Sequence, residues 1–288
     1  MNVIRYSDPA ELWDKIGAQL LEKEALNNLF VGILKKTSEN KLLQSDDHLW
    51  FTVEDGGEVR LAGWRTPPFG FGLWSPQIET TEALRCFLDF LEHEGMEIVG
   101  AVGKPALVDS YVEQAMPRFG LDNYFTMNQG IYECREVDQT LLGRGNIRAV
   151  TVEEIEQITD WTIAFYIESL HQKPLRSEIK ERLIPDIEKG TYFFFEVDNE
   201  IVSTVATARS MVNGITVNMV YTPPKYRKKG YATSSVAQLT QKLLDEGWEF
   251  AALFTDLDNP TSNSIYQKIG YQMVGESKHV QLRPKTGA

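Results

Sequence analysis

The stretch Val217–Ala232, VNMVYTPPKYRKKGYA, restricts the fold of this chain more than any other. Its β-branched beginning reads as a strand, and Pro223-Pro224 ends it, because proline has no N–H to give a ladder. Lys225, Arg227, Lys228 and Lys229 then crowd together before Gly230. Ala232, Val236, Leu239 and Leu243 follow at helical spacing, and Gly247 ends that helix. A strand that passes through a basic, glycine-bearing loop into a helix N-terminus makes an anion cradle. Backbone N–H groups point outward there, the macrodipole favours negative charge, and glycine admits close approach. A lone charge run is ordinarily a solvated turn, but this one sits between a terminated strand and a helix start.

The basic loop is a local exception. Across 288 residues, 41 acidic side chains outweigh 29 basic ones, a formal net charge of −12. Such a surface argues against general binding to nucleic acid or an anionic membrane. No run of about 18 apolar residues offers a membrane span. The beginning, MNVIRYSDPAELWDK, turns acidic before any apolar segment and does not read as a secretory signal. Cys86 and Cys134 form no CxxC pair, and four scattered histidines give no zinc-site spacing, so no metal is expected. The expectation is a soluble, cytoplasmic protein that handles something small.

The length suits about two domains of roughly 150 residues. In the first half, residues 12–34 carry a helical apolar stripe, 49–65 read as a hairpin around Gly56-Gly57, Thr80–His93 as a helix, and 96–102 as a buried strand. The glycine-bearing stretch 138–147 reads as a linker. Beyond it come helices over about 152–189, strands at 191–197, 201–209 and 215–221, a helix from 231, a strand at 249–255, a short helix at 260–269 and a last strand. Interleaved strands and helices predict an α/β (α+β) class. Glu94-Gly-Met-Glu97 before IVGAV echoes Glu246-Gly-Trp-Glu249 before FAALF, and Thr66-Pro-Pro68 echoes Thr222-Pro-Pro224, which points to a repeat. The expected domains are 1–137 and 148–288, joined by 138–147.

Arg227-Lys-Lys-Gly230-Tyr-Ala232 resembles the R/Q-x-x-G-x-G/A signature of the GNAT superfamily of acyl-CoA-dependent N-acetyltransferases. A second block, Asn259-Pro-Thr-Ser-Asn-Ser-Ile-Tyr266-Gln-Lys-Ile-Gly270-Tyr271, is similar to that family's N-x-x-A-x-x-x-Y-x-x-x-G-F/Y pattern, with Ser262 in place of Ala and Tyr271 in place of Phe. The resemblance is clear over about 190–275 and weaker back to 148. It implies tandem GNAT-like domains, each a mixed central sheet flanked by helices, with a degenerate N-terminal copy.

The resemblance also implies roles. The strand before the signature would splay from its neighbour, so that Val220, Tyr221 and Thr222 pair with the pantetheine arm and the acetyl carbonyl of acetyl-CoA. Arg227, Lys228, Lys229, Gly230, Tyr231, Ala232 and Thr233 would hold the pyrophosphate. Asn259, also a good helix cap before Pro260, would contact the donor. Tyr266 would protonate the departing sulfur. The implied reaction is direct attack by a primary amine of a small molecule or peptide in a ternary complex, without a metal. A non-catalytic acyl-CoA-binding or regulatory module, or a transferase using another acyl donor, stays open. Glu196, Asp256, His171 or water alone are the candidate bases. The N-terminal half has no basic loop after Pro68, and the echoes set Gln114 or Met116 opposite Tyr266, so it is expected to bind no acetyl-CoA. Trp50, Trp64, Phe69, Phe71 and Trp74 could line an acceptor cleft or form core.

Overall fold

The computed structural model describes residues 1–170 and 172–285. The chain forms two compact units. The first holds Met1–Ile131, Asp256–Asp258 and the chain from Val274 onward, and the second holds Tyr132–Thr255 and Asn259–Met273. In order, the elements are β1 (Asn2–Tyr6), α1 (Pro9–Leu21), α2 (Asn28–Glu39), β2 (Leu49–Asp55), β3 (Glu58–Arg65), β4 (Phe71–Trp74), α3 (Thr81–His93), β5 (Ala101–Gly103), α4 (Pro105–Phe119) and β6 (Leu121–Cys134). They continue with β7 (Asn146–Ala149), α5 (Ile155–Leu170), α6 (Arg176–Glu188), β8 (Tyr192–Val197), β9 (Glu200–Ser210), β10 (Gly214–Tyr221), α7 (Tyr231–Asp245), β11 (Phe250–Asp256), α8 (Pro260–Ile269) and β12 (Gln272–Pro284). Among the described residues, no helix is long and apolar enough to cross a membrane.

The two units repeat one pattern. In the first, β1 to β4 form an antiparallel run, and β4 then pairs parallel with β5. In the second, β7 to β10 do the same, and β10 pairs parallel with β11. Each first strand is followed by two helices, each parallel pair is bridged by one helix, α3 or α7, and each ends in a further helix, α4 or α8. The architecture is thus mixed α/β, with one fold used twice.

Local sequence explains the site-bearing helices. On α7, Val236, Leu239 and Leu243 lie on one face and are buried. Covering each such side chain is worth about 1.5–3 kcal/mol. On α8, the Asn259 side chain accepts the Ser262 N–H at 3.1 Å, and Pro260 fills a first-turn position where no N–H is needed.

Three expectations differ from the structure. The stretch 138–147, read as a linker, is bound along α7: the Gln238 amide donates to the carbonyls of Leu142 (2.8 Å) and Gly145 (2.9 Å) and accepts the Ile147 N–H (3.0 Å). The chain beyond 273, read as part of the C-terminal domain, belongs to the first unit, where Lys278–Val280 pair with Ala101–Gly103. The buried strand expected at 96–102 is only β5, at 101–103; Val99 instead gives its carbonyl to the Tyr111 hydroxyl at 2.7 Å.

Candidate functional site

The site begins where a ladder stops. β10 pairs with β11 only at Gly214–Phe250, Ile215–Ala251 and Thr216–Ala252. Its other edge continues along β9 as far as Tyr221–Thr204, with register shifts between Ile215 and Val217 and between Asn218 and Tyr221. Met219 takes φ +51 within the second shift, a left-handed value uncommon outside glycine. Val217–Tyr221 therefore present backbone on the β11 side with no ladder partner among the described residues. At the strand's end, the Ser203 hydroxyl donates to the Tyr221 carbonyl (3.0 Å) and shares a hydrogen bond with the Thr222 hydroxyl (2.9 Å).

The basic loop follows directly. Lys228 (φ +63) and Gly230 (φ +82) both turn left-handed, and a Cβ at Gly230 would meet nothing within 4 Å. No side chain caps α7, and its first helical bond is Ser234 N–H to the Gly230 carbonyl. The amides of Tyr231, Ala232 and Thr233 are thus free of helical acceptors and lie beside glycine backbone. Among the described residues, neither Lys228 nor Lys229 has a carboxylate partner; Lys229 lies 6.0 Å from the Tyr231 ring centre. Lys225 sits 4.3 Å over the Tyr226 ring. These groups suit a diphosphate.

The Arg227 side chain does not lie free in this cradle. Its Nε donates to the Thr222 carbonyl at 2.8 Å, and its Nη2 bonds the Glu168 carboxylate at 2.5 Å. The guanidinium also stands 5.8 Å over the Tyr221 ring. Glu168 accepts the Tyr221 hydroxyl on its other oxygen at 3.1 Å. Burial, followed by that carboxylate, raises the Tyr221 phenol above its ordinary value. Glu168, near the end of α5, is a site group that sequence reading missed, because an acidic residue on a solvated helix carries no spacing signal.

Tyr266 lies on α8 with its ring packed edge-on against Tyr271 at 6.0 Å. Burial alone pushes its hydroxyl up to about 12, so it stays protonated at neutral pH. Of the candidate bases, Glu196 is committed to Arg148 (2.7 Å), which also grips Glu154. Asp256 accepts the Asp258 N–H at 2.9 Å, and His171 lies outside the described residues.

The first unit repeats part of this arrangement, and the comparison corrects the sequence reading twice. Both α4 and α8 begin with proline, Pro105 and Pro260, and counting from these prolines sets Tyr111 opposite Tyr266. Neither Gln114 nor Met116 holds that place; the echo count failed because three more residues precede α8 than α4. Of the aromatic candidates for a cleft, Trp50, Trp64, Phe71 and Trp74 are buried core, and only Phe69, 71% exposed, reaches solvent. Phe30 packs on Trp64 at 4.4 Å, and Phe71 on Phe87 at 5.3 Å.

Known proteins fit this arrangement. Residues 155–271 match the acetyltransferase (GNAT) family. No curated protein matches the chain. A solved structure of a Drosophila protein is similar over 99% of this chain and 99% of its own, at a TM-score of 0.67 and 13% identity. A GCN5-related N-acetyltransferase from Sphaerobacter thermophilus is similar over 99% and 97%, at 0.64 and 9%. A GNAT-family acetyltransferase from Colwellia psychrerythraea is similar over 98% and 100%, at 0.59 and 9%. At these identities the likeness speaks for the fold, and it extends over both units. Over residues 155–271, then, this chain carries a domain of the acetyltransferase (GNAT) family.

Proposed function

We propose that the chain transfers the acetyl group of acetyl-CoA to a primary amine of a small molecule or peptide, with the chemistry in the second unit. The observation that carries this reading is the junction itself. The β10–β11 ladder ends after Thr216, and the free strand leads into an uncapped, lysine-bearing helix start. Lys228, Lys229 and the amides from Gly230 to Thr233 hold the donor's pyrophosphate. Backbone groups at Val220, Tyr221 and Thr222 align its pantetheine arm, and Asn259 fixes the start of α8 beside it. The bound donor supplies a thioester carbonyl that a neutral amine attacks, forming C–N, breaking C–S and releasing one proton from the nitrogen.

Amides near Val220–Thr222 are suited to stabilise the oxyanion. Tyr266, held protonated, offers a hydrogen bond to the departing sulfur. At about 12 its phenol is a weaker acid than a thiol of about 8.5, so it stabilises the sulfur chiefly by that bond. The amine's released proton passes to water, and Glu196 is paired with Arg148. The acidic surface favours a cationic acceptor.

Calorimetric titration with acetyl-CoA and coenzyme A release across an amine panel test the reading. Binding is expected, with turnover of at least one amine, and Tyr266→Phe should cut turnover about 100-fold while sparing donor affinity. Binding without turnover of any amine, together with indifference to Tyr266→Phe, leaves a non-catalytic acyl-CoA-binding module. Absence of binding overturns the proposal.

A further inference from the structure

Arg227 stands at a junction between two kinds of anion. On one side its Nη2 meets Glu168 of α5 at 2.5 Å. On the other, the chain passes from it into Lys228, Lys229 and the uncapped amides of α7. Its Nε bond to the Thr222 carbonyl holds the inner edge of the rigid, planar guanidinium, so a change of partner turns the whole group and gives up that bond together with the Glu168 contact. The ion pair is solvent-facing, with the two side chains 42% and 40% exposed, and pairs of that kind are weak. A diphosphate carries more charge than one carboxylate and accepts a guanidinium in the same forked way. Glu168 would not drift when released, because the Tyr221 hydroxyl holds its other oxygen at the end of β10.

Resting on the acetyl-CoA reading above, we propose that Arg227 is a shared cation which leaves Glu168 for the donor's phosphate, and that the freed Glu168 carboxylate then receives a positively charged group on the acceptor. Glu168 is thereby the specificity residue for a cationic amine such as a diamine. One nitrogen is held protonated against the carboxylate while the other, neutral, reacts. Donor binding should precede acceptor binding, because the acceptor's anionic partner is covered until phosphate draws Arg227 away. The Tyr221 ring, whose hydroxyl holds Glu168, is itself held by Trp161, 6.3 Å away between ring centres.

The full-length chain can be titrated with coenzyme A as wild type and as Glu168→Gln. If Arg227 is shared, removing the carboxylate's charge frees it, and coenzyme A should bind roughly two- to fivefold more tightly, the range set by an exposed ion pair. Arg227→Gln should weaken binding and make it indifferent to Glu168→Gln. The acceptor is probed with 1,5-diaminopentane against pentylamine, which differ by one charge. With saturating coenzyme A the wild type should prefer the diamine about tenfold, and the preference should vanish in Glu168→Gln and in wild type without coenzyme A. Unchanged coenzyme A affinity in Glu168→Gln overturns the shared cation. Equal diamine preference in both proteins, or none in either, overturns the role of Glu168. Failure of the wild type to bind coenzyme A at all strikes the donor reading instead, so the two failures are distinct.

Discussion

The two units are built from the same series of elements, yet each comes to a different end at its parallel strand pair. In the second, β10 keeps five residues beyond its last β11 partner, and α7 starts without a cap. In the first, β4 is four residues long and runs only two residues, Leu73 and Trp74, beyond its last β5 partner, while pairing with β3 throughout. The backbone of β5 lies so near β4 that a Cβ on Gly103 would meet the Leu73 carbonyl at 2.5 Å. Where α7 offers bare amides beside lysines, α3 begins under its own carboxylate: Glu79 accepts the Thr81 N–H at 3.2 Å and its hydroxyl at 2.7 Å. Those bonds lower the Glu79 pKa. An anion there would meet a negative charge already in place. Tyr111 and Tyr266 share a helical position, but the Tyr111 hydroxyl is bound to Val99 inside the core. A duplicated frame can therefore persist while three local changes close its cradle.

The largest effect that could break this contrast is on donor binding. The full-length chain should bind one coenzyme A. Lys228→Glu with Lys229→Glu should weaken it about 100-fold, roughly tenfold for each reversed charge near phosphate. A calorimetric stoichiometry of two, or a second event that survives the double reversal, would mean that the first unit binds donor as well. The test needs the whole chain, because residues 1–137 alone lack the strand from Val274 that completes the first unit.

The paired tyrosines sharpen the contrast next. Tyr111→Phe leaves the part-buried Val99 carbonyl without its donor and should cost about 1 kcal/mol in urea unfolding, with coenzyme A affinity unchanged. Tyr266→Phe should cost less than that and act on turnover instead. Equal stability losses from both would mean that Tyr266, like its counterpart, is chiefly a packing residue.

The second unit was legible because its chemistry is local. Proline, cations, glycine and apolar spacing all fall within Val217–Leu243, and Asn259 to Gly270 form one helix with its cap. What escaped depends on distance. Gln238 ties down 138–147 from about 90 residues away, and a glycine-bearing polar stretch gives no sign of such a partner. Arg227 looked like a free cation because Glu168 lies 59 residues before it. Tyr111 was hidden by a loop-length difference, which only the helix starts at Pro105 and Pro260 reveal. The whole of α4 went unread, since its apolar positions are interrupted and a proline lies within it.

The smallest expected difference separates Tyr266 from an ordinary surface tyrosine by its titration. Burial raises its folded pKa to about 12 from an ordinary value near 10, so folding favours the protonated phenol. That stabilisation is fully present below pH 10 and is lost as pH rises through about 12, because the unfolded chain ionises first. Relative to Tyr266→Phe, the wild type should therefore lose no stability between pH 7 and 9, and just under about 1 kcal/mol by pH 10.5. Urea midpoints of the two proteins at those pH values measure it directly. A gain in the wild type's relative stability between pH 8 and 9 would instead mean a folded phenol more acidic than the unfolded one, acidic enough to give its proton outright to the departing thiolate. The proton would then come from Tyr266 itself, and the tyrosine would need recharging in each turnover.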